Sequence, residues 1–210
     1  MKNLNGRALL VHVIGFIIAR AVMFGINPLA VGYFTAAYLC GSGKVLSFAA
    51  IFIAVFSVMD FADIIKYSLT LIASVVIMES PVIKKKIVQG RTLYAIPSVA
   101  LLAFSIIDGI SSRAGRTVSE ILVLSILEMI TALVSAVVFR YGIEYIMQMP
   151  KSMKMNNEQM ISLALMVAAS VYALPNLRNA YVSWLYSAVY FIILYFTYKF
   201  GIGQGAITGA

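Results

Sequence analysis

Four ionisable residues lie in or near long apolar stretches of the sequence, where burying a polar side chain is costly. They are His12, Arg20, Asp108 and Glu128. Ionisable groups inside hydrocarbon are rare, and they usually pair with one another or mark a pathway for ions or protons. These four residues are therefore the first places to look for chemistry.

Arg20 and Glu128 are the natural pair among them, because each would offset the cost of burying the other. We predict a salt bridge between them. The two residues differ in depth by roughly 9 Å along their helices, and long side chains together with helix tilt would bridge this distance. Two alternatives stay open. Each side chain could find its own hydrogen-bond partners among carbonyls and hydroxyls, or extend to the membrane surface. Alternatively, the two residues could take part in transport or in a proton relay. A relay normally needs several spaced carboxylates, and the sequence has one deep acid.

The remaining ionisable residues form no catalytic or metal-binding pattern. His12 is the only histidine and Cys40 the only cysteine, so a metal would lack further nitrogen and sulfur ligands. We interpret Asp108-Gly109 as a turn at a helix end. No phosphate-binding loop or hydrolase motif is present. We therefore predict no active site and no cofactor in these 210 residues; a lipid-modifying enzyme would also need clustered acids or histidines.

The composition is that of an integral membrane protein. The chain is 62% hydrophobic and 11% charged, with a mean hydropathy of +0.96, whereas soluble domains carry about 25% charged residues. The formal net charge of +8 does not predict nucleic-acid binding. The basic residues stand in short loops between apolar stretches, and no interleaving of aromatic and basic residues is present.

The apolar stretches predict an all-α fold, a polytopic transmembrane helix bundle of about eight helices. A tight turn at residues 25–28 joins the first two, which places Arg20 inside the first helix. Several segments are shorter than the roughly 20 residues of a full crossing. The candidate helices are residues 8–24, 28–39, 45–59, 64–78, 92–110, 118–139, 160–173 and 180–200.

The loops predict an orientation with a cytoplasmic N-terminus. Eleven of the 16 basic residues then lie on the inner side and four on the outer side, which is the positive-inside pattern. A basic loop is formed by Lys84, Lys85, Lys86 and Arg91. We interpret it as an orientation determinant beside anionic headgroups or, alternatively, as a docking site for a cytoplasmic partner. The Met-rich stretch 141–158 is predicted to be a loop with an amphipathic interfacial segment.

The stretch from Gly15 to Leu39, GFIIARAVMFGINPLAVGYFTAAYL, resembles the first hairpin of the N-terminal membrane domain of the stage II sporulation protein E family. That family has a similar Gly-Phe-hydrophobic-Arg core, followed by a second helix that starts at proline. The similarity continues in layout, with a glutamate inside LSILEMITAL, a basic loop leading into NNEQMISLALMVA, and the Gly-rich GIGQGAITGA.

The resemblance implies a ten-helix membrane domain, a cytoplasmic linker region that meets the division protein FtsZ, and a PPM-type serine phosphatase with manganese. In that family the phosphatase dephosphorylates an anti-anti-sigma factor and so activates sigma F at the polar septum of a spore-forming bacterium. We expect residues 1–210 to be a multi-pass domain in the plasma membrane, cut before the remaining helices and the phosphatase domain. None of the metal-binding aspartates of the phosphatase can be assigned in this chain.

Two functions follow from the sequence as hypotheses. The first is a membrane-anchoring and localising domain without catalysis, whose partners are the lipid bilayer and, as a further expectation, copies of itself. The alternative is a small-molecule transporter or substrate-binding membrane subunit that uses Arg20, Glu128 and broken helices. An enclosed polar cavity reached from one side would favour the transporter, and a packed bundle or an apolar groove would favour the anchor.

Overall fold

The computed structural model describes residues 6–23, 25–81, 92–112, 117–148 and 155–173. Within these ranges the chain is all-helical, as predicted, with seven α-helices and no named strand. A short 3-10 helix, Thr92–Tyr94, precedes the fifth helix. The predicted helix over residues 180–200 and the basic loop Lys84, Lys85, Lys86 and Arg91 lie outside the described residues.

The helices are α1 (Gly6–Ile18), α2 (Pro28–Leu39), α3 (Lys44–Phe56), α4 (Phe61–Glu79), α5 (Ala95–Ser112), α6 (Val118–Gln148) and α7 (Asn157–Tyr172).

Several helix bounds differ from the sequence prediction, and three of the differences concern segments interpreted above. Helix α1 ends at Ile18, so Arg20 lies in the turn after the helix and not inside it. Helix α5 continues through Asp108-Gly109, which is helical and not the predicted turn. Helix α6 continues to Gln148, so the first part of the predicted Met-rich loop is also helical.

Close packing against neighbouring helices explains why α5 and α6 continue past their glycines. A Cβ at Gly109 would lie 2.5 Å from Ile121 Cγ2, and a Cβ at Gly142 would lie 2.6 Å from Ser162 Oγ. Each glycine therefore lets two helices approach closely, as small residues do in membrane bundles. In the sequence alone the same glycines resemble helix ends.

Two of the described helices are long and apolar enough to cross a membrane. Helix α4 has 19 residues and contains an 18-residue segment with a mean hydropathy of 1.7, and α6 has 31 residues and contains such a segment with a mean hydropathy of 2.5. At 1.5 Å per residue α6 is about 46 Å long, which exceeds a hydrocarbon layer of about 30 Å. Helices α1, α2 and α3 have only 12 or 13 residues each. The helical class is thus confirmed, while eight crossings stay a prediction.

Helix α2 lies at the centre of the fold. Ten of its 12 residues are buried, and it packs chiefly against α6, with α1, α3, α4 and α5 around it. A helix that is apolar on all sides is typical of such a fully enclosed position.

The contact between α2 and α6 depends on Gly32. A Cβ at this position would lie 2.8 Å from the carbonyl oxygen of Ala132 and 1.9 Å from Ser135 Oγ. The Ser135 side chain could rotate, but the carbonyl belongs to the backbone of α6 and cannot move without shifting that helix. The absence of a side chain at Gly32 therefore sets the separation of the two helices.

We expect Gly32→Ala to lower the free energy of unfolding by about 1–3 kcal/mol, because the added methyl overpacks the contact. Gly6→Ala is the matched control, since a Cβ at Gly6 meets no atom within 4 Å. Thermal unfolding of both purified proteins in detergent, followed by circular dichroism, checks this. Equal stability of the two variants would contradict the close contact of α2 and α6.

Candidate functional site

Residues 19–27 connect α1 to α2, and this connection contains a tight turn at residues 23–26, two residues before the predicted turn at 25–28. Met23 and Ile26 exchange two backbone hydrogen bonds of 2.8 and 3.0 Å across it. Gly25 has a φ of +80°, a conformation that glycine adopts without steric cost. The turn reverses the chain, so that Asn27 lies next to Ala19, the residue that follows α1.

Asn27 links the two ends of this turn and is fully buried. Its Nδ2 donates to the carbonyl oxygen of Ala19 at 2.7 Å, and its Oδ1 accepts from the N–H of Ala30 at 3.3 Å. Asn27 thus caps α2, with Pro28 in the first helical position, where the missing N–H of proline costs nothing. Its own backbone N–H donates to the hydroxyl of Tyr67 on α4 at 2.5 Å.

Tyr67 continues this chain of hydrogen bonds to Glu128. Its hydroxyl donates to Glu128 Oε1, while Ser105 Oγ on α5 donates to Oε2. Lys66 Nζ lies 3.7 Å from Oε1. Glu128 is 1% exposed, and a carboxylate at that depth requires hydrogen bonds and a positive partner to offset its lost hydration. We call Asn27, Lys66, Tyr67, Ser105 and Glu128 the Glu128 network.

Lys66 is also buried, and its ammonium group forms an ion pair with a second acid, Asp63. Its Nζ lies 3.0 Å from Asp63 Oδ1, one helical turn earlier on α4, and 4.6 Å from the centre of the Tyr67 ring. One ammonium group therefore lies between the carboxylates of Asp63 and Glu128. Lys66 and Glu128 are buried and Asp63 is partly exposed, so the ammonium offsets the cost of burying the Glu128 carboxylate.

The predicted salt bridge between Arg20 and Glu128 is not among the ion pairs of the described residues. Arg20 lies in the turn after α1, with its guanidinium 5.8 Å from the centre of the Phe16 ring. Its Nε is buried without a hydrogen-bond partner. The physical reason is that α1 ends before Arg20, while Lys66 reaches the carboxylate directly from α4.

The sequence analysis did not single out Lys66 and Tyr67, although both lie in the predicted helix 64–78, because the charge of Lys66 was assigned to the outer loop that also holds Asp60 and Asp63. Helix α4 begins earlier than predicted, at Phe61, which places Lys66 in its second turn. The available signal was the spacing of Asp63 and Lys66, since residues three apart lie on the same face of a helix.

A polar pocket of about 100 Å³ lies beside the Glu128 network. This volume corresponds to about three water molecules. Asp108, which the sequence analysis singled out, faces the same pocket as Glu128. The pocket is lined by Gly25, Ile26, Lys66, Ser105, Asp108, Gly109, Ile121, Leu124, Ser125 and Glu128.

A second polar cluster lies at the opposite ends of the helices. Lys44, at the start of α3, forms an ion pair with Glu79 at the end of α4, and the Tyr38 hydroxyl donates to the same carboxylate. Arg140 on α6 pairs with Glu144 and also donates to the hydroxyl of Tyr94. The ends of α2 and α4 and the starts of α3 and α5 therefore lie at this end of the bundle, so these helices alternate in direction. The Glu128 network lies near the other end.

Other groups that could do chemistry are not arranged for it in the described part of the chain. No set of three or more His, Cys, Asp or Glu side chains there could hold a metal ion. His12 is buried, with Nδ1 3.4 Å from Ser47 Oγ and no hydrogen bond at Nε2. Burial raises the pKa of the Cys40 thiol to about 12, so it is protonated at neutral pH and is a poor nucleophile.

No protein-family model, curated protein or solved structure matches the chain. The resemblance to the stage II sporulation protein E family therefore depends on the first hairpin and on the layout of the chain. That hairpin is also the part of the fold that Asn27 and Tyr67 attach to Glu128.

We expect Tyr67→Phe to lower the free energy of unfolding by about 1–3 kcal/mol, because it leaves the N–H of Asn27 without a partner and removes the hydrogen bond to Glu128 Oε1. A double-mutant cycle with Glu128→Gln should give a coupling energy of about 0.5–3 kcal/mol. Detergent-solubilised protein unfolded by denaturant provides these energies.

Two controls accompany this cycle. Tyr172→Phe removes an exposed hydroxyl that donates at 3.3 Å to Val22 O, and its effect should be small. Arg20→Leu combined with Glu128→Gln should be additive, since the two residues share no partner. If Arg20 and Glu128 couple as strongly as Tyr67 and Glu128, the assignment of partners is wrong.

Proposed function

We propose that the chain is a multi-pass membrane domain that anchors and localises a serine phosphatase of the stage II sporulation protein E type. In this proposal it holds the catalytic domain at the inner face of the plasma membrane, at the polar septum, and residues 1–210 perform no catalysis. FtsZ and an anti-anti-sigma factor would be partners of the full-length protein, whose phosphatase domain would carry the manganese.

The observation that most supports an anchor is that the protein itself supplies a hydrogen-bond partner to each carboxylate oxygen of Glu128. Glu128 is the most deeply buried acid in the described chain. It accepts hydrogen bonds from Tyr67 and Ser105 and forms an ion pair with Lys66. A relay carboxylate would instead be expected to stand in a series with further acids along the bundle. Glu128 therefore fits a residue that fixes how the helices pack.

The size of the pocket also favours the anchor over the transporter. Its volume is about 100 Å³, whereas pockets for organic ligands usually measure roughly 300–1,000 Å³. Ten of the 12 residues of the central helix α2 are buried, which supports a packed bundle around that helix.

The apolar composition and the helices α4 and α6 support a membrane location. In the proposed orientation the N-terminus is cytoplasmic, the Glu128 network is near the outer surface, and the cluster of Lys44, Glu79 and Arg140 is near the inner surface. The basic loop of Lys84, Lys85, Lys86 and Arg91 would then face the cytoplasm, where anionic lipids attract it.

Localisation in cells tests this proposal. We expect a fusion of residues 1–210 to a fluorescent protein, made in a sporulating bacterium, to be enriched at the polar septum relative to the lateral membrane. Quantitative fluorescence microscopy measures the ratio. The control is an unrelated multi-pass protein fused to the same reporter and produced at the same level.

A fusion that is membrane-bound but distributed like the control would argue against a localising role. A fusion that remains soluble would argue against the membrane location itself. The two results can be separated by fractionating the same cells.

A further inference from the structure

Two side chains facing the pocket have no polar partner among the described residues. Ser125 on α6 is 3% exposed, and its hydroxyl forms no hydrogen bond with any described residue. Asp108 on α5 is partly exposed, and its carboxylate forms no ion pair or hydrogen bond within the described ranges. Because Ser125 lines the pocket, its hydroxyl is available to a group inside it.

The lining presents oxygen atoms from two facing helices. Ser105 and Asp108 are three residues apart on α5, and Ser125 and Glu128 are three residues apart on α6, so each pair shares a helix face. Glu128 Oε2 accepts from Ser105 and keeps a further lone pair. The ammonium of Lys66 lies against the other oxygen, Oε1.

The charges around the pocket are unbalanced. Lys66 is the one basic side chain in the lining, and it faces Asp108 and Glu128 there and Asp63 beside them. Among the described residues, three carboxylates and one ammonium group surround the pocket, so the negative charges outnumber the positive one. Buried charges of one sign are stabilised by a counter-charge at short range.

We propose that this pocket binds a small monovalent cation, an alkali-metal ion or ammonium, held by Asp108, Ser125 and Glu128. Hydroxyl, carboxylate and carbonyl oxygens are suitable ligands for such ions, and a volume of about 100 Å³ leaves room for the ion and one or two waters. A divalent metal is not favoured, because the described residues contain no cluster of three acidic, histidine or cysteine ligands. The site does not depend on the anchoring function proposed above.

Thermal unfolding of the purified chain in detergent tests the site. Sodium, potassium and ammonium chloride are each titrated against choline chloride at constant ionic strength, since choline is too large for the pocket. We expect at least one of the small cations to raise the melting temperature in a saturable way that choline does not reproduce.

Variants assign the effect to the pocket. Asp108→Asn and Ser125→Ala should each shift the midpoint of the cation titration to about tenfold higher concentration, the effect of losing one charge-assisted or polar ligand. Asp60→Asn is the matched control, because Asp60 is exposed at the start of α4 and makes no capping hydrogen bond. Its midpoint should equal that of the unmodified protein.

Ser125→Ala keeps the test decisive, because it removes a hydroxyl without a protein partner and should fold normally in choline. The proposal is overturned if none of the three cations exceeds choline in its effect. It is also overturned if Ser125→Ala and Asp108→Asn, both folded by circular dichroism, keep the midpoint of the unmodified protein.

Discussion

The fold depends on the burial of one carboxylate, Glu128. A charged group at this depth is tolerated only when the protein replaces the water that it has lost. Tyr67 and Lys66 of α4 and Ser105 of α5 provide that replacement for a residue of α6. Three helices are therefore held in one relative register, because a shift of any of them would leave the carboxylate short of a partner.

The same constraint extends to the first hairpin through Asn27. Tyr67 accepts the backbone N–H of Asn27 while it donates to Glu128, so one hydroxyl serves both the turn and the deep acid. Asn27 in turn caps α2 and holds the carbonyl of Ala19. The central helix α2 is thus fixed at its start by polar contacts and along its length by the close approach that Gly32 permits.

The sequence predicted those features that depend on local chemistry. The bounds of α2 were predicted because Pro28 starts the helix and the glycines at 41 and 43, both with positive φ, follow its end. Glu128 stood out because it is an isolated acid in an apolar stretch. Its partners could not be predicted, since they depend on how α4, α5 and α6 pack and on where each helix begins.

The errors concern where helices end. Gly109 and Gly142 resemble helix ends in the sequence, yet each permits close packing against a neighbouring helix that keeps its own helix continuous. Arg20 was placed inside a helix because α1 was predicted to extend to residue 24, whereas it ends at Ile18. The pocket of Asp108 and Ser125 could be found only once both helices were placed, since neither residue has a polar neighbour in sequence that identifies it.

The most direct test of this central role is hydrogen–deuterium exchange of residues 19–30 in the unmodified protein and in Glu128→Gln, measured by mass spectrometry. If the carboxylate holds the turn through Tyr67 and Asn27, backbone amides in this segment should exchange faster in the variant, although the substitution lies about 100 residues away in sequence. Unchanged exchange in residues 19–30, in a variant that remains folded, would contradict the central role of Glu128.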